Sequence, residues 1–472
     1  MKIQSIIINE WRNLLRGNIA KALLGVLLVL AVFAVWQSYQ LFAASDRSRE
    51  AAQQHMRSRF LEQGEVNPHS AAHYGHFVYK PVSTLSVFDQ GVNPFTGLSL
   101  RLEGHKQNEL MFSAANRSSS LIRFGQLDLG LILQLLLPLL IIFVCHDAIS
   151  RLREQGTLPL MLTQGATLRK LMWGKFLAYW LLWLSFLVVS ILVLWVFSAT
   201  SADADSVLRL LLLFLLYGLF YAMVTAGSIY ISALSRTSSA ALLPLLFIWL
   251  ICFILLPKGL ANLSEQIHPL TTRLVLDQRI KEDNKNGING HDPRNERTKK
   301  FQDSLLKVHR VDSAAQLPVN LDGLTMQADE EYHNKVYDRH LGNVQQRITS
   351  QNRMIAWSSL INPFSGIQSM SMSLAGTDTY HHFHFSERAE GHRRELIREL
   401  NLEQAYGGSK TGDWQWKVKA DYWQKIRDFH YRSPGVAWAI RHNVPELLSL
   451  LLWCAGLFLL INLTANRIKI AR

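Results

Sequence analysis

The chain has 472 residues, 49 of them Lys or Arg against 36 Asp or Glu, and only three cysteines. The length would suit two or three soluble domains, but the mean hydropathy of +0.08 averages two unlike materials: apolar blocks of about 20 residues, the length that crosses a bilayer core as helix, and long polar stretches. Cys145, Cys252 and Cys454 all fall in or beside apolar blocks, which excludes a disulfide framework in the polar regions. Much of the formal +13 is carried by short flanks of the apolar blocks, so it argues for membrane topology and not for nucleic acid as a partner.

Residues 1–21 predict an interfacial elbow helix, with Ile3, Ile7, Trp11 and Leu14 on one face and Asn9, Arg12, Asn13 and Arg16 on the other. Gly17-Asn18 breaks that pattern before the first span, 22–43. The apolar core of this span starts too late for a secretory signal, which predicts a retained anchor; cleavage after Ala43 or Ala44 is the alternative. Residues 44–126 form a first polar insertion. Its head, SDRSREAAQQHMRSRFLEQ, is charged and helical, and its tail, HFVYKPVSTLSVFDQGVNPFTGLSLRLEG, leans to strand and turn. Spans are expected at 127–147, 173–199, 207–233, 240–257 and 445–464, with a connecting segment at 148–172 and a tail at 465–472. The larger polar region, 258–444, reads as mainly helical: one long helix through LTMQADEEYHNKVYDRHLGNVQQRITSQNRMIAWSSLI, then helices at Phe385–Leu402 and Trp414–Tyr431. It is large enough to fold by ordinary core burial. Asn93–Gly97, NPFTG, is echoed by Asn362–Gly366, NPFSG; the residues suit a tight turn in both places.

The basic flanks set an orientation. Lys2, Arg12, Arg16 and Lys21 precede span one; Arg151, Arg153, Arg169 and Lys170 lie between spans two and three; Arg236 lies between four and five; Arg467, Lys469 and Arg472 follow span six. With six spans all of these fall on one side, which predicts cytoplasmic termini and two extracytoplasmic insertions that form a mostly helical domain with some β. The fold class expected is therefore a mainly α membrane protein.

No motif of an engine is present: no phosphate-binding loop, no H-E-x-x-H, no G-x-S-x-G and no CxxC. In span four, Tyr217, Tyr221, Thr225, Ser228 and Ser232 share a helical face, beside a row of small residues, Gly218, Ala222 and Ala226, that favours close helix packing. The stripe reads either as the wall of a conduit at a dimer interface, with Gln134 and Pro138 of span two as weaker members, or as hydroxyls bonded within the bundle. No ionisable residue lies deep in a span, which disfavours an ion relay. Trp173, Trp180, Trp183 and Trp195 of span three read as lipid-facing anchors. Two histidine groups, His69/His73/His76 and His381/His382/His384, lack cysteine or acid partners in sequence. They read as ordinary polar or core histidines, and no metal site is assigned.

The connecting segment REQGTLPLMLTQGATLRKLMWGK (Arg153–Lys175) is the most informative stretch. It is amphipathic and helical in character, rimmed by Arg169 and Lys170, and able to lie on a membrane and present a surface. Its Glu154, Gly156, Thr157 and Leu158, followed by Gly174 and Lys175, resemble the signature of type-2 ABC transporter permeases. Stretches around His73–Gly91, Arg123–Ser150 and Ser373–Phe385 resemble a permease subfamily with large insertions after spans one and five. Pro159 departs from the pattern and is expected to shift the start of the helix by a few residues.

The resemblance implies that this segment is a coupling helix seated in a separate ATP-hydrolysing subunit, in a bacterial inner membrane. ATP and Mg would be bound by that partner and no cofactor by this chain. A second permease, identical or related, would complete the pair, with membrane lipid around it and room for a periplasmic partner. The family class suggests export or extrusion, or force transmission into the periplasm. The alternatives are a membrane-anchored periplasmic scaffold and a metal-handling membrane protein built on the outer histidines.

Overall fold

A computed structural model describes residues 2–111, 127–198 and 203–467. Residues 112–126 of the first insertion, the turn residues 199–202, and Lys469 and Arg472 of the expected basic tail lie outside the described residues. The chain is mostly helical. Among the described residues six helices are long and apolar enough to cross a membrane: Asn18–Leu61, Leu129–Glu154, Leu168–Phe197, Ala204–Leu234, Ser238–Ile267 and Val444–Ala465. These are spans one to six below, and they mark a membrane protein.

The elbow forms as helix Ile3–Arg16, and Gly17 separates it from span one. Ile6 and Glu10 point into the protein, whereas Ile3 and Trp11 are exposed. Glu10 accepts from Lys175 Nζ at 2.6 Å and from the Tyr179 hydroxyl at 3.0 Å, and the Trp11 indole donates to the Ala178 carbonyl at 2.9 Å. Gly174 is small because Ile6 lies on it: a Cβ there would come 2.8 Å from Ile6 Cγ2. The Gly-Lys pair at the start of span three is therefore the seat of the elbow.

Span one does not end at the membrane. It continues without a break through the charged head of the first insertion, 44 residues in all, or about 66 Å of helix. At its far end Arg57 donates to the Ile426 carbonyl at 3.0 Å, and Phe60 packs edge-on against Trp423. The strand-leaning stretch forms two short antiparallel strands, His76–Tyr79 paired with Ser99–Leu102 in the register His76↔Leu102 to Tyr79↔Ser99.

The larger polar region is built on two long helices, Leu321–Ser358 and Thr379–Tyr406. Asn401 meets Gln327, Arg393 meets Glu330 and Gln345 meets Glu387, so the pair runs antiparallel. The stretch Trp414–Tyr431 corrects the expectation of a helix: it carries one short 3-10 turn at Ala420–Gln424. Its backbone is used to clasp other segments. Val418 N–H donates to Val66 O, while Ile426 O and Phe429 O accept from Arg57 and Gln53 on span one. Tyr422, Trp423 and Ile426 are buried against Leu396, Ile397 and Leu400. A helix cannot lend its mid-chain backbone groups in this way.

The NPFTG/NPFSG echo also resolves into two different structures. Asn93–Gly97 is a turn. Asn362 instead caps helix Pro363–Ala375, its side chain accepting from Phe364 N–H. This helix is buried against spans four and six.

Spans two and five each contain one π-helical turn, Ile132–Leu136 and Ile251–Leu255, and each is followed two residues later by a proline, Pro138 and Pro257. Proline has no N–H to give, so the carbonyl five residues back is left without its partner. Both are satisfied from outside the helix: the Tyr221 hydroxyl donates to Leu133 O at 3.1 Å, and Asn362 Nδ2 donates to Cys252 O at 2.8 Å.

Candidate functional site

The segment between spans two and three forms two short helices, Ser150–Glu154 and Thr157–Thr163. Gly156 joins them with φ 68°, a left-handed conformation that suits glycine. Thr157 Oγ1 bonds back to Leu152 O at 3.1 Å and steadies the bend. Pro159 sits in the first turn of the second helix, where its missing N–H has no cost, and the helix starts at Thr157. Leu158 is buried in the bundle core, while Leu160 on the other side is 62% exposed. Arg169 and Lys170 are exposed and already belong to the first turn of span three.

This segment is tied to the junction of spans four and five. Glu154 Oε2 accepts from the Ser238 hydroxyl at 2.7 Å and from its backbone N–H at 3.2 Å. Arg153 donates to Ala233 O at 2.9 Å and also to Ser235 O. Ser232 Oγ accepts from Ile149 N–H at 3.0 Å and Ser150 N–H at 3.1 Å. Glu154 therefore holds the start of span five, and Ser232, the last member of the hydroxyl stripe, is an anchor for the connecting segment.

The rest of the stripe is enclosed in the chain. Tyr217, Tyr221, Thr225 and Ser228 are all buried. The Tyr217 hydroxyl accepts from Gln134 Nε2 at 2.8 Å and meets Ser371 Oγ at 2.9 Å. Ser371 and Gln134 both reach Asp89 Oδ2, at 2.5 and 3.1 Å. Tyr221 serves Leu133 O, and Ser228 bonds back to Val224 O at 2.8 Å. Among the described residues Thr225 Oγ1 has no hydrogen-bond partner. The stripe is thus a packed polar seam and not an open channel wall. Its upper end joins span two, span four, the first insertion through Asp89 and the second through Ser371. Asp128 caps span two beside Asp89; burial, with the neighbouring Asp89 carboxylate added, holds its carboxyl above the ordinary range.

The small-residue row serves packing between spans three and four. A Cβ on Gly218 would lie 3.1 Å from Leu184 Cδ2, and the Trp180 indole donates to Gly218 O at 2.8 Å. Gly218 and Ala222 also line an apolar groove of ≈ 380 Å³ with Trp173, Phe176 and Phe458. Of the four tryptophans of span three, Trp195 is exposed as expected of a lipid anchor. Trp173 and Trp180 are half-buried against the bundle and line that groove, and Trp183 is fully buried, so the anchoring reading fails for Trp183.

The opposite end of span four grips the polar regions. Arg209 pairs with Asp205 at 2.6 Å and donates to Ser373 O and Leu374 O at the C-terminus of helix Pro363–Ala375, and to Pro434 O. A cation there complements the free carbonyls and the helix dipole. Asp205 in turn accepts from Val436 N–H at 2.8 Å, at the start of the short helix that leads into span six. Sequence reasoning missed this clamp, the Glu10–Lys175 pair and Asp89; each depends on partners far away in the chain.

The second histidine group lies on helix Thr379–Tyr406. His381 Nδ1 is 2.6 Å from Asp378, and His384 meets the Tyr431 hydroxyl at 3.0 Å. His382 is enclosed next to Lys80, and burial lowers it to about 4. These three histidines are engaged separately and form no common site.

A protein-family model described as a domain of unknown function (DUF3526) matches residues 273–432, the bulk of the larger polar region. No curated protein matches the chain.

Proposed function

We propose that the chain is the membrane subunit of a type-2 ABC transporter of a bacterial inner membrane, working with a separate ATP-hydrolysing subunit and a second permease. The ATPase docks on the exposed face of helix Thr157–Thr163 and on Arg169 and Lys170. The two polar regions lie in the periplasm. ATP-driven closure of the ATPases moves the coupling segment, and the movement drives extrusion of a substrate or is passed as force to a periplasmic partner.

The observation that carries this reading is the attachment of span four at both ends. Ser232 and the carbonyl of Ala233 hold the coupling segment, while Asp205 and Arg209 hold the two returns of the larger polar region. A push on the coupling segment is thereby delivered to the far domain through one helix whose ends are both hydrogen-bonded to what they move. The Asp89 network adds a lateral tie to span two and the first insertion, and the uninterrupted helix of span one adds a second stiff path.

Purification in mild detergent, followed by mass spectrometry of what accompanies the chain, tests the reading. A stoichiometric subunit with a phosphate-binding loop is expected. Repeated recovery of the intact chain alone would contradict it and favour a scaffold role for the polar domain.

A further inference from the structure

We infer that His69, His73 and His105 form a binding site for a divalent transition-metal ion of the zinc class, with Glu330 orienting His105 from behind. The inference is independent of the transporter reading. His69 and His73 are four residues apart on helix Pro68–Tyr74 and so share one face. Their Nε2 atoms lie 3.0 Å apart. His105 arrives from the turn after strand Ser99–Leu102, and one nitrogen from each of the three rings lies within 4.8 Å of the others. Bond lengths of about 2.0–2.1 Å to zinc place ligand nitrogens roughly 3.4 Å apart in a tetrahedron, so small side-chain rotations close the set.

The protein spends backbone geometry on this arrangement. His105 has φ 64°, one of two non-glycine residues with positive φ among the described residues. The turn is fixed to the histidine helix by the Gly104 N–H bond to Ala72 O at 2.9 Å. Glu330 Oε2 accepts from the His105 backbone N–H at 2.8 Å and lies 3.1 Å from His105 Nδ1. That leaves Nε2 of His105 for the ion. A carboxylate on the far nitrogen of a histidine is the usual support of a metal-bound imidazole. Glu330 itself is fixed by Arg393 at 2.5 Å, with Arg393 paired to Glu390 at 2.8 Å.

Three neutral imidazoles select zinc, copper or nickel over the hard cations, and three ligands leave a fourth position open for water or an anion. His105 also lines a solvent-accessible cavity of ≈ 790 Å³ walled by Arg273, Lys281 and Arg294. All three ligands come from the first insertion and the supporting carboxylate from the second, so the ion fastens the histidine helix to its turn and stiffens the contact between the two polar regions. Sequence spacing alone suggested His76 as the third member; His76 is on the paired strand instead, and the true third ligand is 32 residues beyond His73.

The test uses the full-length protein, carried on a tag without histidine, stripped with a chelator and then dialysed against zinc. Bound metal is measured by inductively coupled plasma mass spectrometry, and the cobalt-substituted form by its visible spectrum. About one zinc per chain and a tetrahedral cobalt band are expected in the wild type. His73→Ala and His105→Ala should each lower zinc affinity by about tenfold or more, while His382→Ala should leave it unchanged. His73 is exposed, so its variant keeps the fold, as size-exclusion chromatography will verify. Wild-type protein that holds no more zinc than the His73→Ala variant would overturn the inference.

Discussion

Glu154 and Ser238, 84 residues apart, are joined by two hydrogen bonds through one carboxylate oxygen, so that the acid at the end of the first connecting helix caps the first turn of span five. An acid at a helix start complements both the free N–H groups and the dipole. The same residue thus closes the first connecting helix and holds the start of the fifth span. Glu154→Ala removes both hydrogen bonds and Ser238→Ala only the one from the hydroxyl, so Glu154→Ala should cost more and the double variant should be no worse than Glu154→Ala alone. On the proposed transporter reading, the expected outcome is a complex that assembles and still hydrolyses ATP, with coupled activity reduced several-fold. Additive losses in the double variant, read from ATPase and transport assays on the reconstituted complex, would show that the two residues act separately.

The elbow depends on a close approach. Gly174→Val should displace Ile6, and the smaller Ile6→Ala should restore room in the double variant. Lys175→Met strands a buried Glu10 carboxylate, which costs about 3 to 5 kcal/mol. Lower yield of folded membrane protein and a lower melting temperature in detergent are the measures. An unchanged melting temperature for Lys175→Met would mean that the pair is not buried as described.

In the larger polar region, Arg393 is the hub. It pairs with Glu330 and Glu390 and donates to Asn334 and to Glu103 O, with 1% of its side chain exposed. Burial alone would lower the guanidinium, but its two glutamates hold it above the ordinary range; burial alone would raise Glu330, and its bonds from His105 and the Arg393 charge hold it at about 2. Arg393→Ala leaves two buried carboxylates without their cation and should destabilise this region by about 3 to 5 kcal/mol. Hydrogen exchange of helices Leu321–Ser358 and Thr379–Tyr406 reads the effect locally.

Stability should also fall in mild acid. Burial first, and then the neighbouring His392, lower His76 to about 4, and its Nδ1 is enclosed without a hydrogen-bond partner among the described residues. A histidine whose folded pKa lies below its unfolded value of about 6.5 takes up its proton preferentially when unfolded. Its penalty is absent above pH 6.5, grows as the pH falls, and levels off below about 4, reaching at most about 2 kcal/mol at pH 5. Thermal melts at pH 7 and pH 5, followed by tryptophan fluorescence, should separate, and His76→Phe should narrow the separation. A variant with the full pH dependence would assign the effect elsewhere.

How much of this was legible follows from the range of each signal. The spans, the elbow, the paired strands and the long helix at Leu321–Ser358 are written in local periodicity, and the structure differs from the expectation there mainly at the ends. The stretch Trp414–Tyr431 departs from the expected helix because its backbone is claimed by span one and by Val66. Contacts such as Glu154–Ser238, Tyr217–Gln134 and His105–Glu330 leave no trace in any short window. Gln134 and Tyr217 were singled out for the right property, a polar group inside an apolar helix, but only the packed structure shows that they meet each other and Asp89. The two prolines that follow the π turns were visible, yet Tyr221 and Asn362, which supply the missing donors, come from other segments.

The central claim is that the exposed face of helix Thr157–Thr163 docks on an ATPase. A photo-crosslinking amino acid at Leu160, irradiated in native membranes before any detergent is added, tests it directly. The account predicts an adduct with a subunit that carries a phosphate-binding loop, and none from the same probe at Trp195, which is exposed on span three. An adduct only with lipid or with a second copy of this chain at Leu160 would contradict it.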